Sequence, residues 1–201
     1  MRREAVLKSE VGQLIRVPRV RLGAVIAIAL AAAFAAWLIV GHTSTSTSAS
    51  SGSSQNAIQK VGGNGPRAMS VQDLKAFAAA VGHPVYWAGS RAGTTYELTQ
   101  TSNGRVYIRY LPSGVRVGAN EPFLTVATYP YPHAFAALKA VAKREGAPIK
   151  LDQGGIALVD KGYPKSVHMA YPSSDYQVEV FDPSPPRARD VVVSGQIAPV
   201  G

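Results

Sequence analysis

An apolar stripe at helical spacing predicts a first helix near residue 70. Its members are Val71, Leu74, Phe77, Ala78 and Val81. Ser70 is placed to cap this helix, and Asp73 lies three residues further on for the reciprocal hydrogen bond of a capping box. Gly82 supplies the left-handed residue that commonly ends a helix, and Pro84 prevents continuation. The pattern therefore predicts a helix that ends so that a strand can begin.

Strict alternation of apolar and polar residues predicts two hairpins further along the chain. In YELTQTSNGRVYIRY, a three-residue loop over 102–104 sets Glu97 opposite Arg109 and keeps the apolar side chains on one face. A two-residue Asn-Gly loop would mix the two faces, so the three-residue loop is preferred. The second hairpin, VHMAYPSSDYQVEVF, sets His168 opposite Glu179 in the same way.

Shorter signals predict the remaining elements. FLTVATY predicts a strand, and PHAFAALKAVAKREG predicts a second helix with Pro132 near its first turn and Gly146 as its stop. PIKL and GIALV predict short strands. SPPRARDVVVSG predicts a short helix capped by Ser184, although its valines, Val191–Val193, suit a strand equally well. Together these elements give an α+β fold, in which an antiparallel sheet carries two or three helices on one face.

One eleven-residue motif occurs twice. LKAFAAAVGHP starts at Leu74 and returns as LKAVAKREGAP at Leu138, with six of the eleven positions identical. Because each copy leads into strands and a hairpin, the repeated motif predicts a duplicated helix–hairpin unit. Chance convergence explains the repeated motif equally well, since Ala, Leu and Lys favour helices and Gly-x-Pro is a common helix stop.

The N-terminal region carries the strongest signal, a charge-free apolar run of 19 residues over 22–40. A helix of this length spans roughly 30 Å, which matches the hydrocarbon core of a bilayer. Arg16, Arg19 and Arg21 stand directly before the run, and the next basic residue is Lys60. The positive-inside rule then places the N-terminus in the cytoplasm and the bulk of the chain outside. A cleaved signal peptide is the alternative, but its apolar region is normally shorter.

These signals divide the chain into four parts. Residues 1–21 form a basic cytoplasmic tail, 22–40 a transmembrane signal anchor, 41–67 a linker and 68–201 an extracytoplasmic α+β domain. The linker is rich in Ser, Thr and Gly and lacks apolar periodicity, so we expect it to be disordered. The expected location is the cell membrane, crossed by a single span.

Composition narrows the chemistry. The formal net charge is +9, but six basic and two acidic residues lie within 1–21, so much of the basicity serves topology and nucleic acid is a poor candidate partner. The absence of cysteine excludes disulfides, thiolate metal sites and cysteine nucleophiles. Phosphate-loop, nucleophile-elbow and zinc-protease motifs are also absent. No cofactor or metal site is predicted, because the histidines have no metal-ligand spacing. They are His42, His83, His133 and His168.

The candidate partner-binding residues are Arg105, Tyr107 and Arg109, which alternate along one predicted strand and therefore share a face, followed shortly by Arg116. An Arg-aromatic-Arg stripe suits an anionic polymer, a lipid headgroup or a carbohydrate. The simpler interpretation is the solvated side of a half-buried hairpin, on which Arg109 pairs with Glu97.

The sequence favours a non-enzymatic binding or scaffold domain of the cell envelope, because an anchor and a tether occur together with no catalytic motif. Two alternatives stay open. An envelope enzyme would need His133 or His168 to meet an acid and a hydroxyl in a pocket. A basic adaptor would bind anionic polymers through Arg105 and Arg109 in a salt-sensitive manner.

Overall fold

The computed structural model describes residues 65–146 and 148–201, so the expected anchor over 22–40 and most of the linker lie outside the described residues. Within those two ranges, no helix has the length and apolar character needed to cross a membrane. The elements are β1 Arg67–Met69, α1 Val71–Val81, β2 Tyr86–Trp87, β3 Thr94–Gln100, β4 Val106–Pro112, β5 Thr125–Pro130, α2 Ala134–Glu145, β6 Ile149–Lys150, a 3-10 turn Asp152–Gly154, β7 Ile156–Val159, β8 Ser166–Ala170, β9 Tyr176–Phe181, α3 Pro185–Val193 and β10 Ala198–Pro199.

Eight of the strands form one antiparallel sheet in the order β1-β3-β4-β5-β9-β8-β7-β6. Strands β3 to β5 form one meander and β6 to β9 form another, and the β5–β9 pair joins the two at the centre. β2 and β10 make a separate antiparallel pair. The predicted α+β class, with a large antiparallel sheet and three helices, is therefore confirmed.

Local signals placed the first helix and both hairpins correctly. Ser70 and Asp73 form the reciprocal capping box of α1, and Gly82 ends the helix at a φ of 74°. The β3–β4 register pairs Glu97 with Arg109, as the three-residue loop requires, and Gly104 adopts a φ of 77° in that loop. Because a one-residue slip would exchange the two faces, the alternating pattern is enough to fix this register.

One helix start and one helix cap differ from the prediction. Pro132 lies outside α2 and is followed by His133, which precedes the helix in a left-handed conformation with a φ of 58°. The short helix predicted at the C-terminal end is confirmed: Val191–Val193 are helical, and Pro185 occupies the first turn of α3. Ser184 precedes α3 but its side chain makes no capping hydrogen bond.

One side of the sheet, which we call the apolar face, carries the main core. Alternate residues of β3, β4, β5, β9 and β8 project into it, and α1, β2, α3 and β10 cover it. The fully buried members include Leu98, Ile108, Val126, Val178 and Val167.

The second helix packs on the opposite side, which we call the polar face. Ala134, Leu138 and Ala142 of α2 contact Ile156 of β7 and Ala170 of β8 in a separate apolar cluster. The expectation that all helices share one face is therefore wrong. The physical reason is that Ile156 and Leu158 continue the apolar pattern onto the second side of β7, where they provide a surface for a helix.

The two copies of the repeated motif therefore lie on opposite faces of the sheet. Leu74 of α1 is buried in the apolar-face core, whereas Leu138 of α2 is buried on the polar face. A two-fold axis that relates antiparallel neighbours runs perpendicular to their sheet, so it would place both helices on the same face. This arrangement favours chance similarity of two helix-stop signals over a duplicated unit.

Gly155, between the 3-10 turn and β7, provides a test of packing at the sheet edge. A Cβ at this position would lie 2.7 Å from two ring carbons of Tyr171. We expect Gly155→Ala to lower the free energy of unfolding by about 1–3 kcal/mol, because overpacking forces the ring aside. Urea denaturation measures the change. Gly65→Ala is the control, since nothing lies within 4 Å of its Cβ position; equal stability of the two variants would contradict the predicted clash.

Candidate functional site

The strand register arranges the side chains of the polar face in rows across the sheet. Residues that are directly opposite on β3, β4, β5, β9 and β8 belong to one row. The lower row is Glu97, Arg109, Thr125, Phe181 and Ser166; the middle row is Thr99, Tyr107, Ala127, Glu179 and His168; the upper row includes Tyr129, Gln177 and Ala170.

A buried ion pair lies in the lower row. Arg109 Nη1 is 2.6 Å from Glu97 Oε1, and the two side chains are 4% and 0% exposed. Arg109 Nη2 donates hydrogen bonds of 2.8 Å to the carbonyl oxygens of Ala119 and Glu121. Glu97 Oε2 accepts a 2.6 Å hydrogen bond from the backbone N–H of Gly118. The pair therefore fixes the long β4–β5 loop against the sheet, in addition to linking two strands.

The structure separates the four candidate partner-binding residues. Arg105 is half-buried, with Cζ 5.6 Å from the centroid of the Tyr129 ring. Tyr107 and Arg109 are 1% and 4% exposed, so the expectation that this side of the hairpin is solvated is wrong for both. The expected Glu97–Arg109 pairing is present. Arg116 lies on the β4–β5 loop and is exposed.

A second buried network surrounds Glu179 in the middle row. Its two carboxylate oxygens accept hydrogen bonds from Tyr129 Oη at 2.6 Å and from Ser166 Oγ at 2.7 Å. Burial, followed by the nearby charge of Glu179, raises the pKa of Tyr129 well above its usual range. The Tyr129 hydroxyl is therefore a permanent donor, and Glu179 is suited to accept from both neighbours.

His168 occupies the end of the middle row beside Asp160, which follows β7. His168 Nε2 is 3.8 Å from Asp160 Oδ2, and both side chains are largely buried. The hydrogen-bonding interaction with His168 is the largest cause that lowers the pKa of Asp160, and the backbone N–H groups of Gly162 and Tyr163 add to it. Nδ1 of His168 is buried without a hydrogen-bond partner among the described residues. Asp160 thus couples the β7–β8 loop to the polar face.

These contacts define what the polar face can do chemically. Ser166 donates to Glu179, so its hydroxyl is directed to a carboxylate and not to an imidazole that could act as a general base. His168 meets an acid, as an enzyme would need, but its other ring nitrogen, Nδ1, meets no hydroxyl group among the described residues. No group of three or more His, Asp or Glu side chains in residues 65–146 and 148–201 is arranged to hold a metal ion.

The other two described histidines contact neighbouring segments of the domain. His83 stacks on Tyr176 with ring centroids 4.8 Å apart, and its Nδ1 lies 3.0 Å from the carbonyl oxygen of Pro84. His133 uses its backbone N–H to donate to Asp175 Oδ1 at 2.9 Å. His42 lies outside the described residues.

Sequence reasoning missed the network around Glu179. The hairpin register predicted that His168 and Glu179 face one another, and this pairing is confirmed. The contribution of Tyr129 comes from β5, fifty residues away in sequence from Glu179. The available signal was the alternation of polar residues with valines in β9, which placed Gln177 and Glu179 on one face without showing what would cover them.

The comparisons with known proteins found no match. No family model matches the sequence, and neither the curated proteins nor the solved structures contain a significant match.

The buried ion pair predicts that removing Arg109 destabilises the protein much more than removing an exposed arginine. Arg109→Met leaves the Glu97 carboxylate buried without its cation, so we expect a loss of about 3–5 kcal/mol in the free energy of unfolding. The double variant Glu97→Gln with Arg109→Met should recover part of this loss, because it buries no charge. Chemical denaturation measures both. Arg116→Ala is the control, being exposed, and an equal effect of Arg109→Met and Arg116→Ala would contradict the structural role of the pair.

Asp160 predicts a pH-dependent contribution to stability. Its pKa in the folded protein lies below the ordinary value of 3.8, so the carboxylate stabilises the fold above that value, and this contribution disappears as the pH falls through the folded pKa. Asp160→Asn should therefore cost more stability at pH 6 than at about pH 3, as measured by urea denaturation. Asp190→Asn, at an exposed position of α3, is the matched control. A difference between wild type and Asp160→Asn that grows on acidification would be inconsistent with this assignment.

Proposed function

We propose that this chain is a single-pass membrane protein whose extracytoplasmic α+β domain binds a partner or ligand of the cell envelope and does not catalyse a reaction. The observation that carries the proposal is the charge-free run over 22–40 with Arg16, Arg19 and Arg21 directly before it. This pattern is typical of a signal anchor with its N-terminus in the cytoplasm. The Ser, Thr and Gly-rich segment that follows is suited to be a flexible tether.

The polar face supports the non-enzymatic part of the proposal. Its ionised side chains are used by one another and by the backbone of neighbouring loops. Arg109 is bonded to Glu97 and to the β4–β5 loop, and Glu179 is bonded to Ser166 and Tyr129. Side chains committed in this way stabilise a scaffold, whereas a catalytic site needs groups that can reach a substrate.

Partner contact on this side of the domain is proposed for the β4–β5 loop. Arg116 is exposed there, while the ion pair holds the neighbouring residues Gly118 and Ala119 to the sheet. A loop that is fixed before binding loses less conformational freedom when a partner arrives. Rigid presentation of an exposed arginine by a loop is common at binding surfaces.

Topology is tested by adding protease to intact cells that express the full chain. The proposal expects digestion of the C-terminal domain from outside, detected with an antibody against residues 68–201, while a cytoplasmic control protein survives. The same chain with Arg16, Arg19 and Arg21 replaced by Glu is a matched variant, in which we expect loss of the uniform orientation. Protection of the domain in intact cells, under conditions that digest a known outer-surface protein, would overturn the proposed location.

A further inference from the structure

A basic surface with an exposed tyrosine lies where the C-terminal end of α2 meets the β7–β8 loop. Its members are Lys143 and Arg144 in the last turn of α2, and Lys161, Tyr163 and Lys165 in the loop. We call these five residues the lysine–tyrosine patch. The two segments lie side by side, because a Cβ at Gly146, which ends α2, would be 4.0 Å from Lys161 Nζ.

The charges of the patch are not neutralised by the rest of the domain. Its four cations are exposed, and none of them forms an ion pair with another described residue. Of the acidic residues next to them in sequence, Asp160 is engaged by His168 and by loop backbone, and Glu145 is half-buried. Tyr163 is 52% exposed. The patch therefore presents positive charge around an accessible aromatic ring.

The loop that carries Tyr163 has a fixed shape. Asp160 Oδ1 accepts hydrogen bonds from the backbone N–H groups of Gly162 and Tyr163 at 2.7 and 3.2 Å. The backbone N–H of Ser166 donates to the Tyr163 carbonyl oxygen at 2.9 Å. Residues 161–165 are nevertheless all exposed, so the loop projects from the domain. A projecting tip suits a broad surface, whereas small ligands are usually bound in concave sites.

The residue types of the patch are those that favour the interface of a membrane. Lys and Arg bring positive charge to anionic headgroups, and their long stems and the tyrosine ring suit the layer between headgroups and hydrocarbon. The helix dipole alone accounts for Lys143 and Arg144 at the end of α2, but not for an exposed tyrosine between two loop lysines. A lipid surface is also the partner that an anchored domain meets at high local concentration.

The segment between the proposed anchor and the domain is long enough for this contact. The described domain begins next to β1 at one edge of the sheet, and β8 lies five strand spacings away, which is about 24 Å at the usual spacing. Residues 41–64 can span at most about 80 Å. The patch can therefore reach the bilayer that holds the proposed anchor.

We propose that the lysine–tyrosine patch docks the domain on the anionic phospholipid surface of the membrane in which the chain is anchored. The cations pair with lipid phosphates, and the Tyr163 ring enters the headgroup layer. The inference deepens the proposed function and rests on it, since only an anchored chain brings its domain to this surface.

The test uses the full chain in phosphatidylcholine nanodiscs, with or without phosphatidylglycerol, that contain a lipid with a nitroxide on its headgroup. The chain has no cysteine, so Ala140→Cys provides a single labelling site for a fluorophore on exposed α2 surface, one turn before Arg144. Ala79→Cys is the matched control on α1, which covers the opposite face of the sheet. Co-purification of the chain with nanodiscs reports anchoring, and quenching by the nitroxide reports docking.

We expect phosphatidylglycerol to raise the quenching at position 140 by at least about twofold and to leave that at position 79 unchanged. Lys161→Gln with Lys165→Gln should abolish the rise. Lys75→Gln with Arg189→Gln, which removes two exposed cations from the helices of the apolar face, should not. Tyr163→Ser should reduce the rise by roughly half, and Tyr163→Trp should preserve it.

Equal quenching in the two lipid compositions, equal quenching at the two positions, or an undiminished rise in the double variant of Lys161 and Lys165 would each overturn the proposal. Loss of the rise on adding soluble polyphosphate, at a phosphate concentration far below that of the lipid, would assign the patch to an anionic polymer and overturn it too. A chain that fails to co-purify with nanodiscs contradicts the proposed function itself, and the docking with it, so the two failures are distinguishable.

Discussion

The buried ion pair between Glu97 and Arg109 is the interaction on which the polar side of the domain depends. Both charges are almost completely removed from water, and a buried charge without a partner is among the most expensive features a protein can contain. Each member must therefore be satisfied fully. Arg109 uses a second nitrogen for two loop carbonyls and Glu97 uses its second oxygen for a loop N–H, so satisfying the pair also determines the path of the β4–β5 loop.

The same requirement explains how an antiparallel sheet can be buried on both faces. Antiparallel sheets commonly leave one side to water, but here the polar face is covered by α2 at one end and by the β4–β5 loop at the other. Polar side chains remain in the buried rows because they meet partners across the strands. Glu179 shows this, since Tyr129 and Ser166 satisfy one carboxylate oxygen each. The polar face is thus a second interior, held together by hydrogen bonds as well as by the apolar contacts under α2.

Local features were predictable from the sequence because their causes lie within a few residues. The Ser70 and Asp73 capping box and the left-handed Gly82 end α1 as expected. The sheet face on which α2 packs was not predictable in this way. Helical periodicity shows that a helix has an apolar stripe, but it does not show which face of the sheet that stripe contacts. The candidate site was also predictable only in part. Register alone placed Arg109 opposite Glu97, whereas the burial of that pair follows from a loop more than twenty residues away from Glu97 that carries no periodic pattern.

The central β5–β9 joint pairs two strands that are distant in sequence. Each meander pairs strands that are close in sequence, so its hairpins can form early and locally. Tyr129 and Glu179, by contrast, are fifty residues apart, and the entropy of closing that loop must be met before any contact across the joint contributes. Neither meander alone completes the polar face, because the partners of Glu179 come from both. The hydrogen bond from Tyr129 to Glu179 therefore needs β5 and β9 to be paired, whereas the bond from Ser166 needs only the β8–β9 hairpin.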